Sequence, residues 1–243
     1  MVNVIAIQTA RAGSKSVPNK NEMIVDGRPL FLHNLISAID CDAIKHVYMS
    51  TDIPLAEKFA HETGYTIIPR PEYLTGDNAS HYETMKHGLK FAEEDRLKQV
   101  DILIVLLGNN RCAHTKDLNR AISMLMNDET LDSVISVGKY NMFNPLRAYR
   151  ISRNGGLENF SKLNEYSVSP DGLINDKNAV GDVYFFNGSF WAMRRKAFLS
   201  NNGLLPFAWL GKNVGYIEQD PSCMEIDAEW QISVVQNYLH KSL

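Results

Sequence analysis

The chain has 243 residues, 44% of them hydrophobic and 22% charged, with a formal net charge of −3. Such a composition belongs to an ordinary globule long enough for one sizeable core, and its slight acidity excludes a general attraction to nucleic acid or to an acidic membrane. No apolar run reaches the length of a membrane span, no leader-like segment precedes the first strand, and the three cysteines (Cys41, Cys112, Cys223) lie far apart without a C-x-x-C or Cys/His cluster. A cytoplasmic, reduced protein with no structural zinc site, no membrane contact and no nucleic-acid partner is therefore expected.

Residues 3–8 predict a short buried strand. It runs into Thr9-Ala10-Arg11-Ala12-Gly13-Ser14-Lys15-Ser16-Val17-Pro18-Asn19-Lys20-Asn21, a loop of small residues carrying three cations, Arg11, Lys15 and Lys20. Small residues let backbone N–H groups approach a ligand, and the cations neutralise charge, so a loop leaving a strand in this way suits a polyphosphate. It is not a Walker A loop, because Thr9 and Ser14 stand where that motif needs glycine. It is not a dinucleotide fingerprint either, since Gly13 is its only glycine. The bland alternative is a strand-to-helix connection with solvated lysines.

A helix is predicted over residues 29–40, with Pro29 in its first turn and Leu32, Leu35, Ile36 and Ile39 on one face. A strand over 46–50 follows, then a helix started by Pro54 and ended by Gly64, then a short strand over 66–69. Ser80 is placed to cap a long helix reaching about Glu94. Residues 101–107 form the most apolar strand and belong at the sheet centre. A helix over 116–126 and a strand over 132–138 complete the alternation. This order predicts an α/β, Rossmann-like, mostly parallel sheet flanked by helices, with the strand ends at Gln8, Ser50, Pro69 and Leu107 on one edge and the ligand outside that edge.

Residues 140–186 break the rhythm with turn signals at Asn144-Pro145, Asn154-Gly155-Gly156, Pro170-Asp171-Gly172 and Gly181-Asp182. They read either as a protruding arm that packs on a second subunit or as a surface insertion, within one domain spanning residues 1–243. Regularity returns with residues 189–194, a strand near 214–217 and a closing helix over about 228–239.

The N-terminal run, Ala10-Arg11-Ala12-Gly13-Ser14-Lys15 followed by Lys20-Asn21, resembles the signature of bacterial sugar-acid cytidylyltransferases, the CMP-sialic acid synthetases and their relatives for legionaminic and pseudaminic acid. The resemblance continues through Ser50-Thr51-Asp52, through Arg70-Pro71-Glu72-Tyr73-Leu74 and Asp77-Asn78-Ala79-Ser80, and through Asn187-Gly188 and the carboxylate pair Glu225-Ile226-Asp227 before the last helix. It implies a nucleotidyltransferase fold, a homodimer with a protruding dimerisation arm, and Mg²⁺-dependent transfer of CMP from CTP to the anomeric hydroxyl of a nonulosonic keto-acid sugar, releasing pyrophosphate.

For that reaction Arg11 and Lys15 are expected on the triphosphate, with Lys20 assisting and Ser14 and the backbone around Gly13 donating hydrogen bonds. Arg11, Lys15 and Asp227 are the expected catalytic residues. Ala10, Asn21, Arg70, Asp77, Ala79 and Ser80 match segments that surround the nucleotide in relatives. Arg70 equally suits a surface salt bridge with Glu72 or Asp77. Glu225 and Asp227 alternate on an extended segment and point to one side, which suits Mg²⁺. Read without the resemblance, they are equally acids favouring a helix N-terminus.

The acceptor side departs from the family. Relatives carry Gln-Pro-Thr-Ser-Pro-Leu-Arg after the central strand, whereas this chain has Gly108-Asn109-Asn110-Arg111-Cys112-Ala113-His114. The arginine that relatives place shortly before the Asn-Gly step is replaced by Phe185. Asn109, Asn110 and Arg111 are candidate replacement donors, with Arg147, Phe185, Phe186 and Asn187 around the same sugar-acid pocket. Arg147 is otherwise a strand-edge charge, and the aromatic residues are otherwise plain core. The seven histidines form no metal-spaced cluster, and only His114, after the central strand, stands out. An enzyme for another nucleotide or acid, or a non-catalytic nucleotide-binding protein, remains as an alternative.

Overall fold

The structure, a computed structural model, describes residues 2–14, 16–76, 79–161 and 181–238. Its elements in chain order are β1 (Val4–Thr9), β2 (Ile24–Val25), β3 (Arg28–Pro29), α1 (Leu30–Ile39), β4 (His46–Thr51), α2 (Leu55–Thr63), β5 (Thr66–Pro69), α3 (His81–Arg96), β6 (Ile102–Leu107), α4 (Thr115–Asn127) and β7 (Ser133–Lys139). The remainder are β8 (Tyr149–Ile151), β9 (Leu157–Asn159), β10 (Tyr184–Arg194), α5 (Arg195–Ser200), β11 (Val214–Gln219) and α6 (Glu229–Tyr238).

Seven strands form one sheet in the order β11-β7-β10-β6-β1-β4-β5. Only β10 runs antiparallel to its neighbours, β6 and β7. The two-residue period of the strands divides the core between the sheet faces. Val4 and Ala6 of β1, with Ile102, Ile104 and Leu106 of β6, pack toward Phe31 and Leu35 of α1 and Leu118 and Ile122 of α4. Ile5, Ile7, Leu103 and Val105 face the other way, against Met85 and Leu89 of α3 and Phe198 of α5. Each such fully buried side chain contributes about 1.5–3 kcal/mol. Burial on both faces explains why these strands read as unbroken apolar runs.

The helix boundaries follow from the punctuation. Gly64, at φ 89°, ends α2. The Ser80 hydroxyl accepts the Glu83 N–H at 3.3 Å and caps α3. Pro29 precedes the first turn of α1 instead of occupying it.

The carboxyl ends of β1, β4, β5 and β6 share one edge: Thr9 lies opposite Ser50 and Leu107, and Thr51 opposite Pro69. A smaller cluster of Val17, Val25, Leu30, Ile226 and Val235 anchors both the N-terminal loop and the segment before α6 at that edge.

The sequence pattern places the boundary of the irregular stretch at residue 186. In the structure Tyr184, Phe185 and Phe186 already pair with Lys139, Gly138 and Val137 of β7. The Asn187-Gly188 step, a turn signal in isolation, is an irregularity within one long strand, because the pairing register shifts between Phe186 and Trp191. Asn154-Gly155-Gly156 does turn the chain, between β8 and β9, which form an exposed hairpin. Residues 162–180, including the Pro170-Asp171-Gly172 turn, lie outside the described residues. Among the described residues no helix is long and apolar enough to cross a membrane.

Candidate active site

A cleft of about 270 Å³ opens at the shared strand edge, lined by Thr9, Ala10, Arg11, Lys20, Asn21, Arg70, Ala79, His81, Asn109 and Glu225 among others. Its floor is the meeting of two strand exits. The Gly108 N–H donates to the Thr9 carbonyl at 3.0 Å, and a Cβ on Gly108 would lie 2.5 Å from that of Ala10. Only glycine lets the two backbones come this close.

The N-terminal loop is held from three sides. The Ala10 N–H donates to the Ser50 carbonyl at 3.2 Å, and the Ala12 N–H to Asp52 Oδ1 at 2.7 Å. The buried Asn21 donates its amide to the Arg11 carbonyl at 2.8 Å. Asp52 thus accounts for the Ser50-Thr51-Asp52 motif: it is a clamp for the loop. Asn21 likewise shapes the loop and borders the cleft. Gly13 and Ser14 lie on its outer part, where the Ser14 and Ser16 hydroxyls are 3.4 Å apart. Lys15 and Asp77 lie outside the described residues.

Arg70 donates to the Ser50 carbonyl at 2.7 Å. Burial holds its guanidinium below the usual arginine range, and the charge of Arg11 adds to that, while Asp52 opposes it. It is therefore a cleft-lining cation fixed to the end of β4, and among the described residues Glu72 is not one of its hydrogen-bond partners. Ala79 lines the same wall, whereas the Ser80 hydroxyl is occupied as the α3 cap.

At the opposite end, Lys20 Nζ meets Asp227 Oδ1 at 2.5 Å. Asn109 Nδ2 donates to both acids, to Asp227 Oδ1 at 3.2 Å and to Glu225 Oε2 at 3.3 Å. The Asn109 carbonyl accepts the Ile226 N–H at 2.9 Å and seats the segment that carries both acids. The helix-capping role belongs to a different residue: Gln231 Oε1 accepts the N–H groups of Asp227 and Ala228, each at 2.7 Å. The carboxylate of Asp227 is directed to Lys20 and Asn109 instead. Burial, and then the negative charge of Asp227, push the Glu225 carboxyl up. Two neighbouring acids with one raised in this way form a donor set short of positive charge, which fits a hard divalent cation.

Of the expected acceptor residues, Asn109 borders the cleft. Asn110 and Asn187 are buried and committed to the scaffold. Asn110 donates to the Asn187 carbonyl at 2.9 Å and accepts the Cys112 N–H at 2.7 Å. Asn187 donates to Gln219 Oε1 at 2.9 Å, and Gln219 donates to the Cys112 carbonyl at 2.9 Å. Arg111 exerts its charge on His33 of α1, where burial is the main cause of a lowered pKa, and its Nε and Nη1 are buried without a hydrogen-bond partner. Phe186 stacks on Trp191 at 4.7 Å, and Phe185 meets Tyr140 edge-on at 6.0 Å. Arg147 is exposed at the end of a 3-10 turn, Pro145–Arg147, away from the cleft lining.

His81 was not expected here. It lines the cleft, its Nε2 is 2.9 Å from Thr9 Oγ1, and its ring lies 5.3 Å from that of Trp191. Burial and the charge of Arg70 push its pKa down to about 4, so it is neutral at pH 7. Its sequence signal was only its place beside the Ser80 cap.

A mostly parallel sheet, a braced basic loop at the strand edge and a facing pair of acids define an α/β nucleotidyltransferase. The family model described as cytidylyltransferase matches residues 5–196, and the chain belongs to that family. It is 23% identical over 240 residues to the post-translational flagellin modification protein B of Campylobacter coli, covering 97% of this chain and 94% of that protein. It is 26% identical over 234 residues to N-acylneuraminate cytidylyltransferase A of Danio rerio, covering 95% of this chain and 50% of that protein. The chain thus spans nearly all of the bacterial relative and about half the length of the fish one. Its fold is shared with a CMP:2-keto-3-deoxy-manno-octonic acid synthetase solved with CTP, at a TM-score of 0.65 and 16% identity over 99% of this chain and 100% of that one.

Proposed function

We propose that this cytidylyltransferase transfers CMP from CTP to the anomeric hydroxyl of a nonulosonic keto-acid sugar, in the cytoplasm, with release of pyrophosphate. The observation that carries the reading is the meeting of Lys20, from the N-terminal loop, with the Asn109-bridged pair Glu225 and Asp227 at one end of the cleft. The similarity to an N-acylneuraminate cytidylyltransferase, and the fold shared with a CMP:2-keto-3-deoxy-manno-octonic acid synthetase, support the substrate class.

CTP and the acceptor carboxylate repel each other, so attack on the α-phosphate requires charge neutralisation before alignment. Arg11, Lys15 and Lys20 offer that charge from the loop, with Ser14 and the Gly13 backbone as donors. Arg70 and Ala79 form the wall for the nucleoside, and Asp77 and Ser80 belong to the same segment. Glu225 and Asp227 would hold Mg²⁺, which would supply positive charge to offset the charge developing in transfer. His81, kept neutral, can exchange a hydrogen bond with Thr9 without adding charge beneath the phosphates. Asn109, Arg111, Arg147, Phe185 and Phe186 remain the side chains proposed for the acceptor, with Asn110 and Asn187 shaping the pocket from behind.

Exposed Tyr149, Ile151, Leu157 and Phe160 on and beside the β8–β9 hairpin support its proposal as the dimerisation arm. A homodimer by light scattering, converted to monomer by Ile151→Asp, is the expected result. The reaction itself is tested by pyrophosphate release from CTP and Mg²⁺ with a panel of keto-acid sugars. Release with at least one acid supports the proposal, and none with any acid overturns it. The braced but unusual Gly108–His114 segment favours a second reading, in which a different acid or nucleotide is used. A thermal shift that responds to UTP, ATP or GTP before CTP would support it.

A further inference from the structure

Three residues with soft or borderline ligand atoms converge from two well-separated parts of the chain. The ligand atoms of Cys112, His114 and Cys223 all lie within 4.8 Å of one another. We propose that Cys112, His114 and Cys223 form a binding site for a thiophilic divalent cation of the zinc class, with a fourth, exchangeable ligand.

Spacing gives no hint of this site, because more than a hundred residues separate the two cysteines. The fold makes it. Both thiols are buried, at 0% and 1% exposure, and His114 is half-buried beside them. The backbone at each ligand is fixed. The Cys112 N–H donates to Asn110 and its carbonyl accepts from Gln219. The His114 N–H donates to the Cys112 carbonyl at 2.9 Å, and the His114 carbonyl accepts the Asp117 and Leu118 N–H groups of α4 at 2.9 and 3.0 Å. The Cys223 N–H closes a turn on the Asp220 carbonyl at 2.8 Å. Ligands held in this way lose little freedom on binding a cation.

Charge and softness point to the same class of ion. Two thiolates balance one dication, so the loaded site is neutral and tolerates burial, whereas thiolates without a cation do not. The hydrogen bond with Cys223, together with burial, pushes the Cys112 thiol up, and binding a cation there would release thiol protons. Thiolate and imidazole select zinc-class ions over Mg²⁺, which prefers oxygen. The Glu225 and Asp227 carboxylates therefore do not compete for the same ion. Bound cation would tie the Gly108–His114 segment to the turn that leads into Glu225 and Asp227. The proposal stands apart from the reading of the substrate, since it needs neither CTP nor an acceptor.

The test is Co²⁺ titration of the reduced full chain, followed by optical absorption. About one equivalent is expected to give thiolate-to-cobalt charge-transfer bands, bleached by Zn²⁺. The bands should vanish in Cys112→Ser and in Cys223→Ser and persist in Cys41→Ser, whose sulfur lies elsewhere, 3.3 Å from Asn119 Oδ1. No charge-transfer band in the unaltered protein, or bands that survive both substitutions, overturns the site. Should the buried serines prevent folding, His114→Asn decides. Co²⁺ affinity should fall at least about tenfold, the loss that even an outer-shell partner of a metal causes, and an unchanged affinity overturns the proposal.

Discussion

Lys20 and Asp227, 207 positions apart, meet at 2.5 Å across the end of the cleft. Val17 and Ile226, in one small apolar cluster, bring their two segments together. Asp227 is more than half exposed, with 56% of its side chain accessible, so this pair contributes little to stability. Its worth lies in charge placement. Asp227→Asn keeps the size of the side chain and removes the charge. Turnover should fall about 10²-fold or more, while the melting temperature moves by less than about 4 °C. Pyrophosphate release and a thermal melt on the same sample check both halves, and unchanged turnover would remove Asp227 from the chemistry.

His81 predicts a pH dependence of stability. Its folded pKa is about 4 against an ordinary 6.5. Between those values the unfolded chain binds the proton and the folded chain does not, so stability rises with pH across the window. The contribution is fully present above about pH 6.5 and is lost as pH falls through about 4, with a total of roughly 3 kcal/mol. His81→Gln should flatten this part of the urea-denaturation profile between pH 4 and 6.5. A profile identical to that of the parent would show that His81 is already protonated in the folded protein.

Gly108 predicts a coupled loss of stability and nucleotide binding. An alanine methyl there would sit 2.5 Å from the Ala10 Cβ and 3.3 Å from the Thr9 carbonyl. Relief requires the two strand exits to part, at a cost of about 1–3 kcal/mol. Because Ala10 leads directly into Arg11, the same displacement moves the cleft cation. Gly108→Ala should therefore lower both the denaturation midpoint and the calorimetric affinity for CTP. A stable variant with parental CTP affinity would mean that the exits are free to separate.

Much of this architecture is legible in the sequence because local rules and burial agree. The apolar run Ile102–Leu107 is a central strand, Gly64 and Ser80 punctuate their helices, and the basic loop leaves β1 at the predicted edge. What escapes is whatever depends on partners distant in sequence. The place of β10 between β6 and β7 is a tertiary choice. The amides of Asn110 and Asn187 look like available ligand donors until the Asn187 carbonyl and Gln219 Oε1, respectively, accept them. His81 joins the cleft only because Thr9 and Arg70 arrive beside it, and Cys112 meets Cys223 only through the fold.

Gly188 gives the sharpest test of how the acidic pair is seated. Its φ is +79°, and a Cβ there would lie 1.9 Å from Glu225 Cγ and 2.5 Å from Cδ. Two penalties follow for Gly188→Ala. One is backbone strain of roughly 1–2 kcal/mol in the left-handed region. The other is eviction of Glu225 from its position over the strand, which also breaks its hydrogen bond with Asn109. Turnover should fall with Gly188→Ala, as it should with Glu225→Ala. In a double-mutant cycle the stability losses should not add, because Glu225→Ala removes the obstructing atoms and leaves only the strain. Urea denaturation of the two single variants and the double variant measures the coupling. Strict additivity would mean that Glu225 does not rest on Gly188, and the raised carboxyl pKa attributed to its burial there would lose its cause.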